Sequence, residues 1–223
     1  MSCHVDIDSA PCQITDDAAK AAALFALCHH DDPWMRRLHP DHGARYRHFL
    51  QLCRQAQACG AYMPALYSDD EPVAAAICFI DGRAAATTPD LRSLLGLLRS
   101  MSLRRGLSGD ILAEYLRFAM AARCPVPHAV IEALAVHPGF RRRGYARMLL
   151  RSILEHAQAC PGLRGTRVDA GDPAALALYR GAGFRILASA LLSGQAQHRL
   201  FHPGACGHNE KAGIRDAGLW RTP

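Results

Sequence analysis

The sequence has few of the features that mark exported, disulfide-bonded or membrane proteins. No apolar run in its 223 residues approaches the length of a membrane span. Its first residues are polar and lack the apolar core of a signal peptide. Nine cysteines are present, but their number is odd and no Cys-x-x-Cys spacing occurs. We therefore expect a cytoplasmic protein with reduced thiols and no membrane partner.

Internal repeats and low-complexity linkers are also missing, so a single α/β domain is expected. The composition, 50% hydrophobic and 21% charged, is ordinary for a globular protein. Lys and Arg number 26 against 20 Asp and Glu, which gives a formal net charge of +6. This mild basicity suits a phosphorylated ligand or a nucleic acid and does not by itself select either.

Hydrophobic periodicity and turn residues predict alternating helices and strands. Thr15 is the expected N-cap of the first helix, and Gly60 is the expected stop of the second. The predicted order is a strand and loop within 3–14, a helix from 15, a break over 31–43, a helix over 44–60, a hairpin over 61–82, a helical segment over 89–123, a strand over 128–136, a helix over 145–159, a strand over 165–171, a helix from 173, a hairpin over 184–203 and a tail over 204–223.

Three consecutive arginines and a glycine separate the predicted strand at 128–136 from the helix at 145–159. A helix N-terminus carries unpaired N–H groups and about half a positive charge. Gly144 lets an anion approach that backbone closely, and Arg141 to Arg143 add positive charge. The junction therefore predicts a phosphate site; the alternative is a solvated basic turn. It matches neither a P-loop nor the Gly-x-Gly-x-x-Gly dinucleotide fingerprint.

Two segments resemble a known family. "LAVHPGFRRRGYARMLL" resembles motif A of the GNAT superfamily of acetyl-CoA-dependent N-acyltransferases, Arg/Gln-x-x-Gly-x-Gly/Ala, and "DPAALALYRGAGF" resembles its motif B. The motif match covers 131–184, and the order of elements is similar over 1–203. The resemblance implies a mixed, mostly antiparallel central sheet flanked by helices in one domain, 1–203. The last 20 residues are polar, rich in glycine and without periodicity, which predicts a flexible tail. The helical insertion at about 89–123 resembles the subgroup that includes puromycin N-acetyltransferase.

The resemblance also implies acetyl-CoA as cosubstrate. In the family, the motif A strand binds the pantetheine arm through its backbone, and the following loop binds the pyrophosphate through its amides. The family usually has asparagine where this chain has Asp172, so we assign Asp172 first to helix capping and second to the cofactor. The implied cofactor contacts are Leu134, Ala135, Val136, Arg141, Arg142, Arg143, Gly144, Tyr145, Ala146, Arg147, Asp172 and Ala175.

Two side chains are implied to move protons. Glu132 interrupts the apolar run "AVIEALAV" at the family's general-base position, and strand alternation would put it on one face with Leu134 and Val136. Its alternative is a solvated or edge position. Tyr179 matches the motif B tyrosine that protonates the departing thiolate. Its alternative is a buried aromatic side chain on the core face of its helix.

The acceptor is expected to be a primary amine bound near Trp34, Met35 and Arg37, whose segment shapes the acceptor pocket in the family. Antibiotic, amino acid, polyamine and protein N-terminus all stay open, as do monomer and homodimer. No metal is expected, because the histidines around Trp34 match no compact ligand set. The alternatives are a non-catalytic module that binds CoA and a nucleic-acid-binding protein. The second is disfavoured because the basic run is short and lacks stacking aromatics.

Overall fold

The computed structural model describes residues 12–80, 113, 117, 118, 124, 126–192 and 194–204. Ala113, Arg117 and Phe118, within the predicted segment at 89–123, are helical. The rest of that segment lies mostly outside the described residues, as do residues 1–11 and the predicted tail from 205 onward.

Five helices and seven strands are assigned among the described residues. The helices are α1 (Ala18–Cys28), α2 (Pro33–Leu38), α3 (His42–Ala58), α4 (Tyr145–Ala159) and α5 (Pro173–Gly181). The strands are β1 (Gln13–Ile14), β2 (Pro64–Ser68), β3 (Glu71–Phe79), β4 (Ala129–Val136), β5 (Gly165–Ala170), β6 (Arg185–Leu192) and β7 (Gln195–Pro203). A 3₁₀ turn, Pro138–Phe140, precedes α4.

The strands form one sheet in the order β1-β2-β3-β4-β5-β7-β6. Only the pairing of β4 with β5 is parallel, and the described neighbours on either side are antiparallel. The predicted α/β class, with a mixed and mostly antiparallel sheet in a single domain, is therefore confirmed. The β2–β3 hairpin turns through Asp69 and Asp70, both with positive φ, as a two-residue hairpin turn requires.

The two faces of the sheet are covered by different helices. Helices α1 and α3 pack on one face through residues such as Phe25, Phe49 and Cys53. Helix α4 packs on the other face through Leu149, Leu150 and Ile153, which repeat at helical spacing as predicted. We call these the α1/α3 face and the α4 face. None of the helices within the described residues combines the length and apolarity needed to cross a bilayer.

Two local predictions near the N-terminus were wrong. Helix α1 is capped by Asp17, whose carboxylate accepts from the amides of Ala19 and Lys20, and Thr15 is instead buried before it. The predicted break at 31–43 contains helix α2. Pro33 occupies its first turn, where no hydrogen bond from the proline nitrogen is needed, and Asp32 caps it by accepting from the Met35 amide at 3.0 Å.

Candidate active site

The parallel pair β4–β5 opens partway along its length. The strands are paired at three positions, the last of which joins Ile131 to Val168. Five more residues of β4 follow Ile131, and none of them pairs with β5. Beyond that pair the two strands part, so the β5-facing backbone of β4 borders a gap in the sheet.

A bulge in β4 lies at the start of this gap. Ile131 pairs with Cys78 and Ala133 with Ile77, so Glu132 is the extra residue. The strand changes faces there: Ile131 packs with the α4 cluster, whereas Ala133 and Ala135 pack with the α1/α3 cluster. Leu134 and Val136 pack on the α4 face. Unbroken alternation was therefore the wrong assumption, because the bulge at Glu132 interrupts it.

The direction of the β4 backbone follows from one hydrogen bond at its end. The His137 amide donates to the Val73 carbonyl of β3 at 2.8 Å. Successive residues of a strand point their backbone groups to opposite edges, so Ala135 also faces β3 and Leu134 and Val136 face the gap. Of the three predicted pantetheine contacts, two thus present N–H groups to the gap and Ala135 does not.

The Val136 carbonyl is contacted by two side chains of the protein itself. The Cys28 thiol donates to it at 3.3 Å, and the Arg141 Nε donates at 3.4 Å. Burial raises the pKa of Cys28 to about 11, although Arg141 lowers it. Cys28 is therefore a protonated donor at neutral pH. No local sequence pattern predicts this contact, because Cys28 and Val136 are 108 positions apart.

The loop before α4 has the geometry of an anion site. Gly144 is the N-cap with φ 85°, so no side chain caps this helix end. Arg142 also has a positive φ, 63°. Where residues with positive φ alternate with residues with negative φ, the backbone directs successive N–H groups toward one point and forms an anion-binding concavity. The Arg147 amide donates to the Gly144 carbonyl and is the first amide of α4 to do so. Tyr145 and Ala146 precede it, in the first turn of the helix, where amides have no acceptor within the helix.

Exposed arginines lie in the loop and in the first turn of α4. Arg141, Arg142, Arg143 and Arg147 are all exposed. The Arg143 guanidinium lies 5.1 Å from the ring centroid of Phe140, and Phe140 stacks with Tyr145 at 6.3 Å. Phe140 and Tyr145 therefore support the loop, while the arginines supply a positive field around the amides.

Helix α5 carries the motif B residues. The Asp172 carboxylate accepts a hydrogen bond from the Ala175 amide at 2.8 Å, which confirms the predicted capping role. The Ala175 amide is therefore already hydrogen-bonded within the protein. Tyr179 lies in the α4-face cluster with 5% of its surface exposed, and its ring is 5.4 Å from Phe184. Burial raises the pKa of Tyr179, so its hydroxyl stays protonated at neutral pH and is able to donate.

The predicted acceptor residues lie on α2 with different exposures. Met35 is buried in the α1/α3 core, and Arg37 is exposed. Trp34 is half-buried and packs against two clusters, the α1/α3 core and the cluster of Phe118 with Leu192. Trp34 thus bridges the β4 side and the β6 side of the sheet on its α1/α3 face.

The histidines of this segment take part in ring packing. His39 stacks with His48 at 4.3 Å, and His29 lies 5.1 Å from Phe49. Burial lowers the pKa of His48 to about 4 and also lowers that of His29, so both rings are neutral at physiological pH. Among the described residues, no three side chains of His, Cys, Asp or Glu converge on a metal position.

The site as a whole is an opened parallel strand pair that leads into a glycine-capped helix with exposed arginines. These features define a class of α/β proteins that hold a phosphate-bearing ligand along the gap. The chain belongs to the acetyltransferase (GNAT) family, whose model matches residues 24–184. This confirms the resemblance seen in motifs A and B. The finer resemblance to the puromycin N-acetyltransferase subgroup stays a prediction.

Individual relatives agree with this family. N-alpha-acetyltransferase RimI of Mycobacterium tuberculosis is 35% identical over 78 residues, which are 35% of this chain and 48% of the relative. The match therefore spans about half the length of that curated relative. An N-acetyltransferase from Staphylococcus aureus Mu50 has a TM-score of 0.53 at 18% identity, over 85% of this chain and 98% of that one.

Two further solved structures show the same fold. The ribosomal-protein-S18-alanine N-acetyltransferase from Escherichia coli has a TM-score of 0.51 at 16% identity, over 89% of this chain and 97% of that one. A putative acetyltransferase from Salmonella typhimurium, solved with its cofactor acetyl-CoA, has a TM-score of 0.51 at 15% identity, over 94% and 99%. At identities this low the likeness shows the fold alone.

Proposed function

We propose that the protein is an acetyl-CoA-dependent N-acetyltransferase that transfers the acetyl group directly to a primary amine. The observation that carries the proposal is the continuity of the β4–β5 gap with the concavity before α4. The gap offers backbone N–H groups of Leu134 and Val136 to an extended arm. The amides after Arg142, with the exposed arginines, suit the diphosphate of coenzyme A.

The two faces of the sheet separate the two substrates in this proposal. Tyr179 and the N-terminus of α4 lie on the α4 face, so the cofactor arm and its sulfur belong there. Glu132 adjoins Ala133, which packs on the α1/α3 face under α1 and α3. When bound, acetyl-CoA supplies an activated thioester, whose C–S bond breaks as the N–C bond to the amine forms and one proton passes from nitrogen to sulfur.

Glu132 accepts the proton of the amine, directly or through one water. A lysine-like amine has a pKa of about 10.4, so roughly one molecule in 2,500 is neutral at pH 7. That deficit corresponds to about 4.6 kcal/mol, part of which a general base offsets. Tyr179, whose phenol is protonated at neutral pH, donates to the leaving sulfur. An N–H of β4 that faces the gap, such as that of Val136, stabilises the developing oxyanion.

The name of the relative N-alpha-acetyltransferase RimI supports an α-amine as the acceptor. The proposal is tested by calorimetry with acetyl-CoA, followed by thiol release across a panel of peptide, amino acid, polyamine and aminoglycoside amines. We expect micromolar binding of acetyl-CoA and stoichiometric acetylation of at least one amine. Binding without thiol release from any amine would instead indicate a CoA-binding regulatory module.

Gly144→Val is expected to weaken acetyl-CoA binding about tenfold or more. A β-branched residue at φ 85° is strained by about 1–3 kcal/mol, and relief of that strain displaces the amides of the concavity. Isothermal titration measures the dissociation constant. The matched control is Gly162→Val, which places the same strain at φ 86° in a turn where an added Cβ meets nothing within 4 Å. Equal affinities of the two variants for acetyl-CoA would show that the loop before α4 is not part of the cofactor site.

A further inference from the structure

A second carboxylate stands at the opening of the gap. Asp169 follows Val168 on β5, just as Glu132 follows Ile131 on β4, and Ile131 pairs with Val168 as the last pair of the two strands. The two carboxylates are therefore the first residues beyond the point where the strands part. Asp169 was not singled out in the sequence, because one acidic residue in "GTRVDAG" gives no sign of its neighbour on another strand.

The side chain of Asp169 lies on the α1/α3 face. Val168 and Ala170 pack in the α4-face cluster, so Asp169 between them points to the opposite face. Its partner Arg199 lies 4.9 Å from the ring centroid of Phe118. Phe118 in turn belongs to the cluster against which Trp34 packs. Asp169 thus shares its face with the predicted acceptor residue Trp34.

Asp169 is fixed in position by a buried arginine. The Arg199 Nε donates to its Oδ1 at 2.7 Å, and the Arg199 Nη2 donates to its Oδ2 at 2.6 Å. The side chain of Arg199 is 3% exposed, whereas that of Asp169 is 34% exposed. A two-point contact of this kind fixes the plane of the carboxylate. The pair is neutral as a whole, but its negative end is the accessible one, so a ligand on this face meets the carboxylate first.

We propose that Asp169, oriented by Arg199, is a specificity-determining residue that selects acceptors with no carboxylate on the carbon bearing the amine. The inference rests on the proposed function. An acceptor arrives mostly as an ammonium ion, which Asp169 and Glu132 attract together. A free α-amino acid brings its own carboxylate within a bond or two of that ammonium, where both protein carboxylates repel it. Peptide N-termini and amino acid amides carry no such charge.

The experiment compares alaninamide with alanine, which differ in this charge, and expresses kcat/KM per free amine because the amide group also lowers the pKa of the amine. In the wild type we expect kcat/KM for the amide to exceed that for the acid by at least about tenfold. In Asp169→Asn we expect the ratio to fall to within about threefold. Asp169→Glu keeps the charge and is expected to keep most of the preference. The ratio does not depend on the fraction of folded enzyme, so partial unfolding of a variant leaves it unchanged.

The matched control is Asp70→Asn, which removes a carboxylate from the β2–β3 turn and is expected to leave the ratio at the wild-type value. If the wild type acetylates amines without preferring the amide, or if Asp169→Asn keeps the wild-type ratio, the specificity role is overturned while the proposed function stands. If no amine releases thiol although acetyl-CoA binds, the proposed function fails, and the specificity role fails with it.

Discussion

Tyr179→Phe is expected to lower kcat about 100-fold or more and to leave the dissociation constant of acetyl-CoA within about threefold. The substitution keeps the buried ring and its packing against Phe184. It removes only the hydroxyl, which is protonated at neutral pH and supplies the proton to the leaving thiolate. Loss of one general acid typically costs about 10²–10⁴-fold. Steady-state thiol release gives kcat, and calorimetry gives the affinity.

Tyr62→Phe is the matched control for this prediction. The Tyr62 hydroxyl hydrogen-bonds Ser152 of α4 at 2.7 Å, and its ring stacks on His156. Its removal is expected to change stability slightly and kcat by less than about twofold. Wild-type turnover in Tyr179→Phe would rule out proton donation by Tyr179 and leave it a packing residue, which was the alternative on the sequence.

Glu132→Gln is expected to lower kcat/KM at neutral pH about 10²–10⁴-fold, the usual contribution of a general base. The defect should shrink as pH rises. Without the carboxylate the reaction depends on free amine, whose fraction grows tenfold per pH unit below the pKa of the amine. We therefore expect log kcat/KM of the variant to rise with a slope near one up to that pKa, about 8 for an α-amine and about 10.4 for a lysine-like amine, measured with an acceptor that the wild type uses.

The matched control removes a carboxylate of the same type from α4. Glu155 accepts from Arg151 at 2.8 Å on the exposed side of the helix, and Glu155→Gln should keep the wild-type pH profile. A Glu132→Gln variant whose profile is simply the wild-type curve scaled down would mean that Glu132 positions the acceptor and does not take its proton.

Local signals predicted the cofactor half of the site well. Helix α4 begins and ends at Tyr145 and Ala159, as predicted, because a glycine with positive φ precedes it and its apolar residues repeat without interruption. Asp172 and Pro173 start α5, as predicted, because the cap and the proline act within a single turn. These features depend only on residues a few positions apart.

The acceptor half was harder to predict because it depends on residues distant in the sequence. The bulge at Glu132 is a mismatch in length between β4 and β3, which neither strand shows alone. The pairing of Asp169 with Arg199 joins residues 30 positions apart across β5 and β7. Helix α2 was missed because two prolines were read as a break, although Pro33 fits the first turn of a helix.

The alternating direction of the backbone also divides the last amides of β4 into two groups with different hydrogen-exchange behaviour. Ala133 and Ala135 direct their amides to β3, so their exchange requires opening of the central sheet. Leu134 and Val136 direct theirs to the gap, where the described strands offer no partner. Neighbouring amides of one strand therefore differ in protection until a ligand occupies the gap, and Leu134 and Val136 act as natural exchange reporters of that occupancy.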